Sequence, residues 1–191
     1  KVNRIFVIRH GETNWNREGR FQGQLDIPLN ETGRLQAFAV AEAIAKSAPQ
    51  VLWSSPLMRT RDTAGAIAAR TGLDLHFDNE WRERGYGVLE GSTYQEWLAR
   101  DAKGYALYKS NDPDYAPEGG ETGREFYERS VSAFKTLAEK PGESACIVSH
   151  GGVISALYRW VSGLPLSTPR SWEIPNTGIN EFERVQGVWQ L

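Results

Sequence analysis

The sequence is poor in several features that would by themselves point to a function. It has one cysteine in 191 residues, which excludes an internal disulfide bond and is typical of a reducing compartment. Its formal net charge of −2 gives none of the basic surface that nucleic acids attract. No apolar run approaches the roughly 18 residues of a membrane span, and no signal-peptide pattern is present. These absences predict a cytoplasmic protein that binds neither nucleic acid nor a membrane.

The overall composition is that of an ordinary globular protein. Hydrophobic residues make up 40% of the chain and charged residues 24%, values typical of a packed core with a solvated surface. The length suits one domain, and no repeat, low-complexity tract or linker divides it, so we predict a single domain over residues 1–191. Seven tryptophans are many for this length. We expect some of them to line a pocket or a subunit interface, such as that of a homodimer.

Short apolar runs predict the strands of a buried sheet. The predicted strands cover residues 4–9, 51–54, 73–77, 144–149, 179–184 and 188–191. In the third of these, apolar and polar residues alternate, which is the period of a half-exposed strand. The last two flank Gln186-Gly187 and predict a terminal hairpin.

Longer segments between these strands predict helices, at about 32–46, 55–70, 124–140 and 152–161. Asn30 is the predicted N-cap of the first helix, with Leu35, Phe38 and Ile44 among its apolar positions, and Ser55 is the predicted N-cap of the second. For residues 94–122 we predict a short helix followed by a flexible insertion. The order of elements predicts an α/β fold, a three-layer sandwich whose mostly parallel central sheet has an antiparallel edge strand.

Two of the three histidines occupy matched positions, each directly after a predicted buried strand. Arg9-His10-Gly11 ends the first strand, and His150-Gly151 follows the fourth. Ligands of an open α/β sheet bind beyond the carboxyl ends of its strands. If these two strands are parallel neighbours, both imidazoles project into one pocket. A neutral imidazole is a nucleophile toward phosphorus, and a guanidinium can bind two phosphoryl oxygens at once.

Other polar side chains also follow predicted strands. Arg59 lies in the first turn of a helix, where the N-terminus attracts anions. Glu83 follows the next strand and offers a carboxyl group on a loop. Beside it lie Arg82 and Arg84, for which we favour ordinary loop charges over the alternative of substrate contact. The third histidine, His76, alternates onto the polar side of a strand and is predicted to have no catalytic role.

These motifs together resemble those of the histidine phosphatase superfamily, which includes the cofactor-dependent phosphoglycerate mutases. Arg-His-Gly, Ser-Ser-x-x-x-Arg at 54–59, Glu-Arg-x-Tyr-Gly at 83–87 and the later His-Gly occur in the expected order and spacing. The resemblance implies that His10 is phosphorylated in a covalent intermediate. It also implies that Glu83 protonates the leaving oxygen and then deprotonates the attacking water or acceptor. The residues expected to bind the phosphoryl group or the substrate are Arg9, Asn16, Gln22, Gly23, Arg59, Tyr86, His150 and Gly151.

The resemblance leaves three activities open and implies neither metal nor cofactor. No carboxylate cluster accompanies the histidines, so no metal site is predicted. The first activity is hydrolysis of a small phosphorylated metabolite, with water as the acceptor. The second is a phosphoglycerate mutase reaction, and the third is silent binding of a phosphorylated ligand. Silent binding is least favoured because every essential side chain of the family pattern is present.

The choice between phosphatase and mutase activity depends on the segment after the Glu83 loop. That loop is similar to those of mutases. The family's mutases, however, carry a longer insertion that supplies paired arginines for the substrate carboxylate. In this chain, residues 92–122 contain Arg100 as their one arginine. We therefore predict the phosphatase branch.

Overall fold

The computed structural model describes residues 1–191, whose six strands form one mixed sheet. In chain order the strands are β1 (Arg4–Arg9), β2 (Val51–Ser54), β3 (Leu75–Phe77), β4 (Ser144–Ser149), β5 (Ile179–Val185) and β6 (Val188–Gln190). Their order across the sheet is β3-β2-β4-β1-β5-β6. The first four strands of that order run parallel, whereas β5 and β6 are antiparallel to their neighbours. The predicted mostly parallel sheet with an antiparallel edge is confirmed.

Seven α-helices surround the sheet: α1 (Asn14–Glu18), α2 (Glu31–Ala45), α3 (Met58–Thr71), α4 (Tyr94–Arg100), α5 (Ala102–Lys109), α6 (Gly123–Ala138) and α7 (Gly151–Ser162). Alternate side chains of a strand point to opposite faces of the sheet. Phe6 and Ile8 of β1 accordingly pack in one apolar cluster with α2 and α3. Ile5 and Val7 pack in a second cluster with α6 and α7. Helices therefore cover both faces, which makes three layers, and no helix has the length and hydropathy to cross a bilayer.

The predicted N-cap of α2 is confirmed, whereas the predicted N-cap of α3 is wrong. Asn30 caps α2 by accepting a hydrogen bond from the backbone N–H of Gly33 at 2.8 Å. Ser55 does not cap α3, which begins three residues later, at Met58. The backbone N–H of Met58 instead donates to Asp26 Oδ1 at 2.6 Å. The predicted cap at Ser55 is wrong because a carboxylate from a distant loop occupies that role.

The apolar face assigned to α2 is also partly wrong. Leu35 and Phe38 are 66% and 67% exposed. The buried residues of this helix are Gly33, Ala37, Val40, Ala41 and Ile44. These five share one face at the helical period, and Leu35 and Phe38 lie outside it.

Residues 94–122 contain two helices, over 94–100 and 102–109, so the prediction of a single helix is wrong. Asp101 ends α4 and caps α5, accepting a hydrogen bond from the Gly104 N–H at 3.0 Å. The fully buried ring of Trp97 joins the helices, with Tyr108 at 4.6 Å between ring centroids and Phe21 at 5.2 Å. This segment is thus packed against the loop that follows α1.

Candidate active site

The two matched histidines meet at the carboxyl edge of the parallel strands. β1 and β4 are neighbours in register, with Arg9 opposite Ser149, so His10 and His150 follow paired positions. Their ring centroids are 5.4 Å apart. This is the placement that the two strand-end motifs predicted.

A cavity of about 660 Å³ opens at this edge. Nine of the ten predicted site residues line it, namely Arg9, His10, Asn16, Gln22, Gly23, Arg59, Glu83, Tyr86 and Gly151. The tenth, His150, is fully buried, and its ring lies beside that of His10. The structure therefore brings together every side chain that the sequence selected, whereas exposed His76 packs against Trp53 on β2.

His10 is held in the protonation state that a nucleophile needs. Its Nδ1 lies 2.7 Å from the carbonyl oxygen of Gly11. Because a carbonyl oxygen only accepts, Nδ1 carries the proton and Nε2 keeps its lone pair. Burial, and then the charges of Arg59 and Arg9, hold the pKa of His10 well below its ordinary value. The ring is therefore neutral at physiological pH.

Arg9 and Arg59 place two positive charges beside this imidazole. Nη1 of Arg9 donates to the Ile174 carbonyl at 2.7 Å, and Arg59 donates to the carbonyls of Leu25 and Gly23 at 2.7 and 2.6 Å. Neither guanidinium has a carboxylate within ion-pairing distance. The Nε atoms of both are buried without a partner.

Burial lowers the pKa of Arg59 to about 10 and also lowers the pKa of Arg9. Both guanidinium groups nevertheless stay charged near neutral pH. Buried charge without a counter-ion is costly. An anion is therefore the ligand that this arrangement would stabilise most.

His150 presents a second neutral imidazole. Its Nε2 shares a hydrogen bond of 2.9 Å with Ser55 Oγ, and its Nδ1 is buried with no partner. Burial, followed by the charge of Arg59, lowers its pKa well below the ordinary value. The Ser55 hydroxyl predicted as a helix cap thus orients this ring instead.

Glu83 lies at the N-terminus of α7. Its two carboxylate oxygens accept hydrogen bonds from the backbone N–H groups of Arg84, at 2.9 Å, and Gly152, at 3.1 Å. A Cβ at position 152 would overlap Glu83 Oε1, so glycine there permits the close approach. The carboxyl group is thereby fixed at the cavity that Arg9 and His10 also line.

The loop carrying Glu83 is clamped by an ion pair that the sequence motifs did not reveal. Arg129 on α6 pairs with Glu121 at 2.7 Å and donates to the carbonyl oxygens of Glu80 and Arg82, each at 2.8 Å. Glu121 in turn accepts from the Gly85 N–H at 2.8 Å. These contacts join residues distant in sequence, which no local pattern indicates.

Three of the predicted substrate-binding residues, Asn16, Gln22 and Tyr86, are held in place by contacts with their neighbours. Asn16 accepts from the Thr13 N–H at 3.0 Å and from Asn176 Nδ2 at 3.2 Å. Gln22 Oε1 accepts from the Thr13 hydroxyl at 2.7 Å. Tyr86 packs on Phe21 with ring centroids 4.9 Å apart, and burial raises its pKa, so it stays a neutral phenol.

Five further cationic side chains line the cavity, namely Arg20, Arg84, Lys109, Arg159 and Arg170, and of these only Arg84 belongs to a predicted motif. The structure places Arg84 at the cavity, where the sequence alone favours an ordinary loop charge. The other four lie in the loop after α1, on α5, on α7 and in the loop after α7. The fold alone brings them to the cavity, because no fixed spacing in the sequence connects them with His10.

The fold and this site define a known class of enzyme. The family model of the histidine phosphatase superfamily (branch 1) matches residues 5–191, and the chain belongs to this superfamily. It is 39% identical over 187 residues to phosphoglycerate mutase-like protein 4 of Arabidopsis thaliana, covering 96% of this chain and 80% of that protein. It is 34% identical over 199 residues to glucosyl-3-phosphoglycerate phosphatase of Mycobacterium tuberculosis, covering 99% and 87%.

A solved structure agrees with these relatives. The mycobacterial glucosyl-3-phosphoglycerate phosphatase in complex with VO3 matches with a TM-score of 0.87 and 33% identity, over 99% of this chain and 97% of that chain. The prediction of a phosphatase in this superfamily is confirmed.

Proposed function

We propose that the protein hydrolyses small phosphomonoesters through a phosphohistidine intermediate on Nε2 of His10. The observation that supports this proposal is a neutral imidazole, fixed through Nδ1, beside two guanidinium groups whose Nε atoms are buried without a partner. Phosphoryl oxygens would bind Arg9 and Arg59 while Nε2 faces the phosphorus. These fixed positive charges stabilise the charge that spreads over the equatorial oxygens, a role that needs no metal ion.

The reaction takes two steps that share one carboxyl group. In the first, the bond from His10 Nε2 to phosphorus forms and the ester bond from phosphorus to oxygen breaks, while protonated Glu83 gives its proton to the leaving oxygen. In the second, the Glu83 carboxylate takes a proton from water, whose oxygen attacks phosphorus. The bond to Nε2 then breaks and inorganic phosphate leaves.

A second candidate is phosphoglycerate mutase, and the observation that favours it is a set of cavity arginines from outside residues 92–122. Arg100 donates to the Val88 carbonyl and does not line the cavity, so residues 92–122 supply no paired arginines to it. Arg84, Arg159 and Arg170 nevertheless reach the cavity from other segments. They could hold the carboxylate of a phosphoglycerate acceptor.

A paired assay decides between water and phosphoglycerate as the acceptor. Release of inorganic phosphate is measured from a panel of phosphomonoesters, and interconversion of 3- and 2-phosphoglycerate is measured with 2,3-bisphosphoglycerate present. We expect phosphate release to exceed mutase turnover, because positioning of the acceptor distinguishes the two fates. Mutase turnover well above phosphate release would reverse the assignment.

We also propose a cytoplasmic location and assembly as a homodimer. The one cysteine, Cys146, is fully buried, and burial raises its pKa to about 12, so it is a core residue in a chain without disulfides. Static light scattering tests the homodimer, and a monomeric mass at micromolar concentration would contradict it.

A further inference from the structure

One wall of the cavity carries two guanidinium groups that the reaction at His10 does not use. Arg159 lies in the last turn of α7, and Arg170 lies in the loop that follows this helix. Neither has a carboxylate within ion-pairing distance. Burial and then the charge of Arg170 lower the pKa of Arg159. Like charges that face one cavity repel each other, and a bound anion would relieve the repulsion.

The loop after α7 holds both side chains in place. Arg159 donates through Nε and Nη2 to the Thr168 carbonyl, at 3.4 and 3.1 Å, and lies over the Trp172 ring at 5.0 Å from its centroid. Arg170 Nε donates to the Trp172 carbonyl at 3.0 Å. The Trp172 ring is itself stacked on Tyr158, with centroids 4.1 Å apart. Nη1 of Arg159 and both Nη atoms of Arg170 remain as donors for a ligand.

The other cations of the cavity outside the predicted site are less suited to bind an anion. Arg20 is already paired with Glu96 at 2.9 Å. Arg84 donates through Nε and Nη2 to the carbonyl oxygens of Glu121 and Tyr115, at 3.1 and 3.0 Å, so these two donors are already engaged. Lys109 is exposed and lies over the Tyr94 ring. Arg170, by contrast, is close enough to Arg9 to contribute to lowering its pKa, after burial. Arg159 and Arg170 thus line the same cavity as Arg9, the group that would hold the phosphoryl oxygens.

We propose that Arg159 and Arg170 form a second anion subsite, which binds a carboxylate or a second phosphate of the substrate while the reacting phosphoryl group lies beside His10. The inference rests on the proposed hydrolase function and narrows its substrate class. The shared chemistry is a compact oxyanion, since a guanidinium fork fits both groups. The preferred substrates are therefore phosphomonoesters with a second negative group.

Two matched substrate pairs test the subsite. 3-Phosphoglycerate differs from glycerol 3-phosphate by a carboxylate, and fructose 1,6-bisphosphate differs from fructose 6-phosphate by a phosphate. We expect the wild-type protein to prefer the more anionic member of one pair by about tenfold or more in kcat/KM, the size of one charge-assisted hydrogen bond. The pair that shows the preference identifies the anion.

Variants connect this preference with the two arginines. Arg159→Gln/Arg170→Gln should bring the ratio of kcat/KM within that pair close to one, mainly through KM, whereas Arg61→Gln on the exposed side of α3 should keep it. Arg170→Gln alone removes an exposed side chain, so it tests the same ratio without disturbing the fold. A double lysine variant retains the charge and should keep part of the preference.

The outcomes separate the two proposals. If the wild-type protein hydrolyses both members of each pair equally, or if the glutamine variants lower both members by the same factor, the subsite is overturned and the hydrolase function stands. If the wild-type protein hydrolyses neither these esters nor p-nitrophenyl phosphate, the hydrolase function fails and the subsite fails with it.

Discussion

At the scale of single residues, the two buried histidines connect catalysis with the pH dependence of stability. Burial holds the pKa of His10 and His150 well below the ordinary value, so both rings are neutral in the folded protein. In the unfolded chain, histidine takes up a proton below about pH 6.5. The unfolded state therefore binds more protons in acid. Stability is fully present above that pH and is lost as the pH falls.

This linkage gives the first prediction. Between about pH 7.5 and about pH 5.5, each histidine should remove up to about 1.4 kcal/mol per pH unit from the free energy of unfolding. His10→Asn/His150→Asn should lose distinctly less stability over this interval. Urea unfolding at the two pH values measures the difference. Equal losses in the variant and the wild-type protein would show that the two rings are not held neutral.

The assignment of Glu83 as the proton donor gives the second prediction. Glu83→Gln should slow hydrolysis of glycerol 3-phosphate by about 10²–10⁴ and slow p-nitrophenyl phosphate far less. An alkoxide leaving group needs the proton, whereas nitrophenolate leaves readily without it. Steady-state kcat/KM for the two substrates measures the contrast.

Two other carboxylates serve as comparisons for Glu83. Glu12 accepts hydrogen bonds from Arg17 and Asn30, and Glu90 accepts from the N–H groups of Gln24 and Tyr86. Neither lines the cavity. If Glu83→Gln lowers kcat/KM by the same factor for both substrates, Glu83 has only a positioning role. Glu12 and Glu90 then become the next candidates for the proton donor.

At the scale of elements, the loop that carries Glu83 depends on α6 and α7. Arg129 of α6 spans this loop with hydrogen bonds to three of its carbonyl oxygens, and its ion pair with Glu121 is mostly buried. Lysine has the same charge but lacks the planar fork that makes these bonds together. Arg129 is thus a positioning residue, which acts on the reaction through Glu83.

The third prediction follows from that geometry. Arg129→Lys should reduce kcat for glycerol 3-phosphate by about tenfold or more, since small displacements of a catalytic group are costly. It should leave KM nearly unchanged and affect p-nitrophenyl phosphate less. Arg124→Lys on the same helix is the matched control, because its exposed pair with Asp114 lies outside the Glu83 loop. The same loss of kcat on both substrates would indicate a general loss of structure instead.

The helices also show where sequence patterns stop being informative. Strand-end histidines and the cap at Asn30 follow from local rules, and the structure has them as predicted. The position of Leu35 and Phe38 does not, because an apolar residue on a helix can face solvent. Likewise, the start of α3 depends on Asp26, a residue far away in the sequence.

At the scale of the whole molecule, the sequence motifs predicted the site residues that follow strands but did not predict Arg159 and Arg170. His10, Arg59, Glu83 and His150 each follow a strand, so the topology of a parallel sheet already predicts that they converge. Arg159 reaches the same cavity from the last turn of α7, and Arg170 reaches it from the long loop that follows, whose course has no sequence signature. That residues 1–191 form a single domain stays a prediction, consistent with the one sheet that joins both ends of the chain.

The most direct test of the central claim is to locate the phosphoryl group on the protein during turnover. Wild-type protein is mixed with substrate, quenched rapidly without acid, digested and sequenced by mass spectrometry. We expect an acid-labile phosphate on the peptide containing His10, and on His10 itself.

His76→Asn should retain the label, since this exposed ring packs on Trp53 away from the cavity. His10→Ala should stay folded, lose turnover and carry no label. Full activity in His10→Ala, or a label on any other residue, would contradict the account.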